Sequence, residues 1–176
     1  MIKFLFKYLT YFIFFIFCIF LFLPKENIYY MMEKKLFEYK TIVSYEKINS
    51  GIFNFDVKNA YIFYDGIKFA KIQEVKTEMY LYEHKVQVKN FKLFDSFKAL
   101  FPQNINNVEI LHNVLTPKEV TIKAEGDFGL LDGKVDLVQR KLKLFLKASS
   151  IMKKKYKSIL KQMKLKNGKY EYEYQF

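Results

Sequence analysis

Two different spacings of apolar residues divide the chain. From Phe4 to Leu23 the sequence reads FLFKYLTYFIFFIFCIFLFL, apolar all round, with Lys7 as its one charge. A helix of about 20 residues rises about 30 Å, the thickness of a bilayer's hydrocarbon core. The run therefore predicts a transmembrane helix over residues 1–24, with Phe4, Tyr8, Phe12, Phe15 and Leu23 as anchor residues, Lys7 reaching back to the head groups and Pro24 as the stop. The bulky residues Phe20 to Leu23 offer no small-x-small cleavage site, and Phe15-Ile16-Phe17 ahead of Cys18 lacks the small residue that lipoprotein processing needs. The segment thus reads as a retained anchor rather than a cleaved signal peptide. Lys3 and Lys7 precede it, while Lys25 behind it is offset by Glu26. The positive-inside rule then puts the N-terminus in the cytoplasm and the remainder outside.

Residues 25–48 form a juxtamembrane segment in which Ile28 to Tyr39 predicts a short helix without a clean apolar stripe. From residue 49 to 176 the spacing falls to two, the signature of half-buried strands. Phe53, Phe55 and Val57 alternate with polar neighbours, and Tyr61 and Phe63 continue the pattern to Asp65-Gly66, a two-residue hairpin signal. Phe69, Val75, Met79 and Leu81 follow, then Val86 and Val88. Asp95 to Leu100 predicts one or two helical turns, capped by Asp95 or Ser96 and stopped by Pro102. Gln103 to Asn107 reads as a polar connection and Val108 to Leu111 as a short strand. A second β block covers Glu119 to Ala148, broken at Gly126 and Gly129, with a hairpin turn at Asp132-Gly133 and another turn around Gln139 and Arg140. Ser149 or Ser150 then caps an amphipathic helix over 150–166, in which Met152, Tyr156, Ile159, Leu160 and Met163 recur at helical spacing and Asn167-Gly168 is the stop. Tyr170, Tyr172, Tyr174 and Phe176 share one face of a last strand. The fold class expected is mainly β, an antiparallel meander, open sheet or β-groove, with an N-terminal transmembrane helix and a C-terminal amphipathic helix.

Composition narrows the chemistry. The formal charge is +12, yet Arg140 is the one arginine among 30 basic residues. Arginine is the side chain whose fork matches phosphate and base edges, so the charge argues for anionic head groups at a membrane surface and not for a nucleic-acid partner. The single cysteine, Cys18, lies inside the apolar run and reports nothing of the redox compartment. His84 and His112 have no organised acidic or cysteine partners at metal-ligand spacing. No glycine-rich phosphate loop is present. The sequence therefore predicts no catalytic residue, no metal site and no cofactor.

Three stretches carry a resemblance: "SGIFNFDVKNAYIFYDGIKFA" after the anchor, "VTIKAEGDFGLLDGKVDL", and the closing "KNGKYEYEYQF" behind a helix. Their order resembles the type II secretion protein N family and the wider group of AsmA-like β-groove proteins, with Gly126 to Val135 as the most specific piece. The resemblance implies an inner-membrane protein of a Gram-negative bacterium with a periplasmic β domain. It implies a non-enzymatic accessory role in a secretion, type IV pilus or DNA-uptake (competence) machine, with envelope proteins as partners. The candidate contact surfaces for that role are the helix residues Met152, Tyr156, Ile159 and Met163 and the tyrosines 170, 172 and 174, the other reading being a helix packed on the sheet and a core or edge strand. The alternative expectation is a lipid-binding or lipid-transfer module, in which Phe53, Phe55, Tyr61, Phe63, Phe69, Met79 and Leu81 line an open groove. A long apolar trough with no covering layer favours lipid. A sealed core favours protein partners.

Overall fold

The computed structural model describes residues 2–22 and 25–176. Leu23 and Pro24, the expected end and stop of the anchor, lie outside the described residues. The chain starts as two helices, α1 (Ile2–Phe22, 21 residues) and α2 (Lys25–Glu38). Phe4, Tyr8, Phe12 and Phe15 are exposed on α1. Among the described residues no helix is long and apolar enough to cross a membrane.

The remainder is one antiparallel sheet of 11 strands among the described residues. In chain order these are β1 (Thr41–Ser44), β2 (Lys47–Ser50), β3 (Asn54–Tyr64), β4 (Ile67–Met79), β5 (Glu83–Leu93), β6 (Asn104–Asn113), β7 (Glu119–Gly126), β8 (Gly129–Asp136) and β9 (Lys141–Ala148). Two short helices follow, α3 (Ser150–Lys155) and α4 (Lys157–Leu160), and then β10 (Lys164–Lys166) and β11 (Lys169–Gln175). Neighbours run β1-β3-β4-β5-β6-β7-β8-β9-β11-β10, with β2 also on β3. Most consecutive strands are joined by short turns and pair as hairpins, while β5 and β6 pair across the longer connection 94–103. Asp65 (φ 49°) and Gly66 (φ 80°) make the left-handed hairpin their sequence predicts.

Four local expectations are corrected. Asp132-Gly133 is not a turn but the middle of β8, paired with Lys123 and Ile122. The turn lies at Asp127-Phe128, between Gly126 and Gly129, where Gly129 takes φ 112° and a Cβ would sit 2.1 Å from the Lys147 carbonyl oxygen. Gly133 is instead a packing residue, because a Cβ there would meet the Leu144 side chain at 2.8 Å. The polar run Gln103 to Asn107 is largely strand, since β6 already starts at Asn104. The helix expected over 150–166 is two short pieces broken at Tyr156 (φ −116°, ψ 41°), and Asn167-Gly168 turns the β10–β11 hairpin rather than stopping a helix. Ser149 is the N-cap of α3, its Oγ accepting from the Met152 amide at 3.0 Å while donating to the Asp127 carbonyl. At Asp95 the expected helical turns shrink to a 3₁₀ turn, Asp95–Phe97, with no side-chain cap.

A fifth correction concerns the strand pattern itself. In β3 the buried residues are Phe55, Val57 and then Ala60, with Lys58 and Asn59 both exposed between them. Alternation slips by one residue at Asn59, which adopts φ 58°. Asn90 in β5 does the same at φ 51°. The flanking register places Asn59 opposite Gln73, Gln73 opposite Asn90 and Asn90 opposite Asn106. Four strands thus slip together at one row of amides, where the Asn90 Nδ2 donates to the Gln73 Oε1 at 2.6 Å. On β6 the slip coincides with a register shift between Ile105 and Asn107 against β7. Asparagine suits this row because its short amide tolerates the left-handed region better than a branched side chain does.

Candidate functional site: an apolar trough

Ladder register assembles the site. Val57, Val75, Val88, Val108, Ala124, Leu131 and Leu146 lie in one row across the sheet. Two residues along each strand lies the row Phe55, Thr77, Val86, Ile110, Ile122, Gly133 and Leu144. A third row holds Met79, His84, His112, Val120, Val135 and Leu142. Since the side-chain period of a strand is two, all three rows face the same way. None of them contains a charged residue.

The opposite face is the reverse. Lys58 and Lys89 flank Glu74 at 3.7 and 3.2 Å, Lys85 meets Glu109 at 2.8 Å and Lys76 meets Glu78 at 2.6 Å. The hydrogen bond from Lys89 holds the Glu74 carboxyl below its ordinary value, and that from Lys76 does the same for Glu78. This face is ordinary solvated sheet surface.

The apolar face is covered at the two ends of the strand order, and beyond the amide row Ala70 and Leu93 are buried in β4 and β5 as well. At one end Tyr29 of α2 packs on Phe55 with the rings tilted and their centroids 5.5 Å apart, over Val57, Ala60, Val43 and Ile48. Burial pushes the Tyr29 hydroxyl far above its usual value, and the nearby Glu46 and Glu33 carboxylates add to that. At the other end Met152, Tyr156 and Leu160 bury Leu146, with Leu131 and Tyr170 packed against them. The Tyr156 hydroxyl reaches the Lys98 carbonyl at 2.8 Å, which fixes α3 and α4 over the sheet. Between these caps Val75, Val88, Val108, Val86, Ile110 and Ile122 are half-buried by their own neighbours. Among the described residues there is no second sheet and no helix above them. The result is an open trough across β4 to β7. At strand spacings near 4.8 Å it is roughly 15 to 20 Å wide.

The seven residues expected to line a groove do not all come together. Phe55 and Met79 belong to the trough. Tyr61 and Phe63 lie beyond the amide row, where the slip turns them to the opposite face. There Tyr45 packs on both, and Tyr61 stacks on Phe94 at 6.3 Å. Phe69 sits at the bulge between Ile62 and Phe63 and packs edge-on against Phe97. Phe53 and Leu81 are in turns at one end of the sheet. The residues that do form the floor, Val88, Val108, Ile110 and Ile122 above all, are recognisable as a set only once the register is known.

The expected contact helix is also placed differently. Met152 and Tyr156 are buried, and Ile159 and Met163 are partly buried against the sheet. The short strand β10 lies outside β11 only along Lys169 to Glu171, so the stretch with Tyr172 and Tyr174 is an outer strand of the sheet among the described residues. Tyr170, Tyr172 and Tyr174 pair with Leu146, Leu144 and Leu142 and extend the trough's rows.

Two clefts open on the opposite face. One of about 410 Å³ lies along the amide row, lined by Asn59, Gln73, Asn90 and Asn106 with Lys71 and Lys92. The other, about 690 Å³, has Tyr61, Lys68 and Phe94 in its wall. The two histidines stack at 6.1 Å in the trough's third row. Among the described residues no group of His, Cys, Asp and Glu could hold a metal ion. No protein-family model, no curated protein and no solved structure matches the chain.

Proposed function

We propose that this protein is a membrane-tethered lipid-handling module, with acyl chains lying on the floor formed by the three charge-free rows. The observation that carries the reading is the apolar trough with no covering layer. Apolar surface left to water costs about 25 cal/mol per Å², and a contiguous apolar patch of this extent marks a binding surface. An acyl chain is the occupant that needs no hydrogen bond in return, and the floor offers hardly any. The tether favours the same occupant. The sequence from Phe4 to Leu23 has the length and apolarity of a bilayer anchor, and α1 is helical over Ile2–Phe22. With that anchor in an inner membrane and the N-terminus cytoplasmic, the sheet stands in the periplasm beside a store of lipid.

The accessory role in secretion, pilus assembly or DNA uptake gains nothing from the geometry. The helix face expected to meet protein partners packs on the sheet, and the edge strand β10 is short and carries two lysines, a pattern that discourages pairing with other strands. The test is mass spectrometry of lipid carried by the full-length protein, wild type beside Val88→Asp and Ile110→Asp. Stoichiometric phospholipid or fatty acid in the wild type, reduced in both variants, is the expected result. Equal lipid in all three would place that lipid around α1 alone and overturn the reading.

A further inference from the structure

An antiparallel meander brings alternate turns to the same end of the sheet. At the end where the trough's third row lies, those turns are Ile52-Phe53, Tyr80-Leu81-Tyr82, Val114-Leu115 and Leu137-Val138, joined by Phe176 after β11. Every one of these side chains is exposed, Leu115 at 82% and Val138 at 67%. Tyr80 stacks on Phe53 at 6.4 Å and on Tyr82 at 6.5 Å, so the first two turns form one aromatic row. The two-residue turns at the opposite end, Asp65-Gly66, Asp127-Phe128 and Asn167-Gly168, hold one apolar residue between them. The longer connection after β5 does expose Leu100 and Phe101 there.

Much of the backbone at the apolar tips has internal partners. The Asn113 Oδ1 accepts from the Leu115 amide at 2.8 Å, and the Asp136 Oδ1 accepts from Val138 at 2.9 Å and Gln139 at 2.7 Å. Neighbouring turns also bond to one another, Val114 donating to the Tyr82 carbonyl, Leu137 to Lys118 and Phe176 to Arg140. Turn amides with internal partners can enter a poorly hydrated medium at little cost, whereas open ones cannot. The helix geometry points the same way. Tyr29, in the first part of α2, packs on Phe55 near this end, while the Lys40 carbonyl just past the far end of α2 accepts from Asp65 at the opposite one. α2 begins at Lys25 and α1 ends at Phe22, so the covalent chain keeps the end of α1 within about 11 Å of the start of α2.

We infer that this end of the sheet is a membrane-contacting rim, its turn tips seated in the head-group region of the bilayer that holds α1. The inference rests on α1 being an anchor. Tyr80 and Tyr82 have the amphipathic rings that favour the interface. Lys118 and Arg140 stand beside the tips, where anionic lipid would attract them. The trough's third row adjoins this rim, so its floor runs into the bilayer surface without a polar break. Lipid can then pass from leaflet to trough along continuous apolar surface.

The chain contains no tryptophan, so a single introduced one reports its own surroundings. The full-length protein is reconstituted in vesicles of phosphatidylethanolamine and phosphatidylglycerol, as Leu115→Trp, Val138→Trp or Ile67→Trp, the last at the opposite end. The expected result is blue-shifted emission for Leu115→Trp and Val138→Trp, with quenching by bromine-labelled lipid several-fold stronger than for Ile67→Trp. Water-like emission and equal, weak quenching at all three sites would overturn the rim. Flotation of the vesicles separates this from failure of the anchor, which would leave the protein off the membrane altogether. Lipid content measured by mass spectrometry stays a separate readout for the trough.

Discussion

Leu146→Ala and Ile110→Ala remove the same number of carbons from the same face of the sheet, yet they should cost very different amounts. Leu146 is 3% exposed beneath Met152, Tyr156 and Leu160. Truncating it loses the transfer free energy of a buried side chain and leaves a cavity that α3 and α4 can close only in part. Substitutions of that kind cost 2 to 5 kcal/mol, and about 3 kcal/mol is expected here. Ile110 is half-buried by flanking valines and isoleucines with nothing above it. Its removal enlarges an open depression that solvent already reaches, so no cavity term arises and only part of the transfer term is lost, about 1 kcal/mol. For a chain of this size the two changes correspond to falls of about 9 °C and about 3 °C in Tm. Thermal unfolding of the full chain, followed by circular dichroism in one detergent, measures both. Equal losses would mean that a layer covers Ile110, and the open trough would have to be abandoned.

Other expectations follow from single contacts. Ser149→Ala removes the cap of α3 and the hydroxyl's bond to Asp127, and should cost about 1 kcal/mol in urea unfolding. Gly129→Ala forces a Cβ against the Lys147 carbonyl at a positive φ and should cost about 2 kcal/mol or more, seen as a loss of soluble folded protein. Asn90→Gly should be nearly neutral and Asn90→Val should cost about 1 to 2 kcal/mol, because φ 51° excludes a branched residue. The carboxyls of Glu74, Glu78 and Glu173 lie below their ordinary 4.5 in the folded protein, held there first of all by hydrogen bonds from Lys89, Lys76 and Lys141. Their contribution to stability is therefore complete above pH 4.5 and is lost as the pH falls through the lowered values. Urea midpoints between pH 6 and pH 3 should drop, and Glu74→Gln should flatten that slope; an unchanged slope would count against the lysine pairing.

The strands were legible in the sequence because alternation and the Asp65-Gly66 turn are local signals. What they enclose was not. In β3 both parities beyond Asn59 are apolar, Ala60 and Ile62 on one and Tyr61 and Phe63 on the other. The larger aromatic residues suggested that the first parity continues, whereas the left-handed Asn59 switches it. The amides at 59, 73, 90 and 106 are far apart in sequence and form a row only through register. Asp132-Gly133 has the composition of a turn, but packing against Ile122 and Leu144 decides the role of Gly133. The lysine-rich stretch after Ser149 has helical spacing, and the break falls at Tyr156, the residue whose hydroxyl makes the tertiary bond to the Lys98 carbonyl, a contact no local pattern encodes. The floor of the trough was hidden for the same reason as the amide row. Its valines and isoleucines are unremarkable strand residues until pairing sets them side by side.

The shared slip at the amide row also limits how this fold can change. Deleting one residue at Asn59 would restore uninterrupted alternation in β3 and keep Ala60 on the face of Val57, but it would draw Ala60 to Tyr64 one residue out of register with β4. β4 and β5 would keep their own slip, so Ala60 would fall opposite Gln73 and Ile62 opposite Lys71, inward residues against outward ones. A compensating deletion in one neighbour only moves the mismatch to the next strand. Shortening the sheet at this level therefore requires simultaneous edits in four strands, whereas adding or removing a whole hairpin requires none. The architecture can lengthen or shrink strand by strand, but it cannot readily be trimmed across its width.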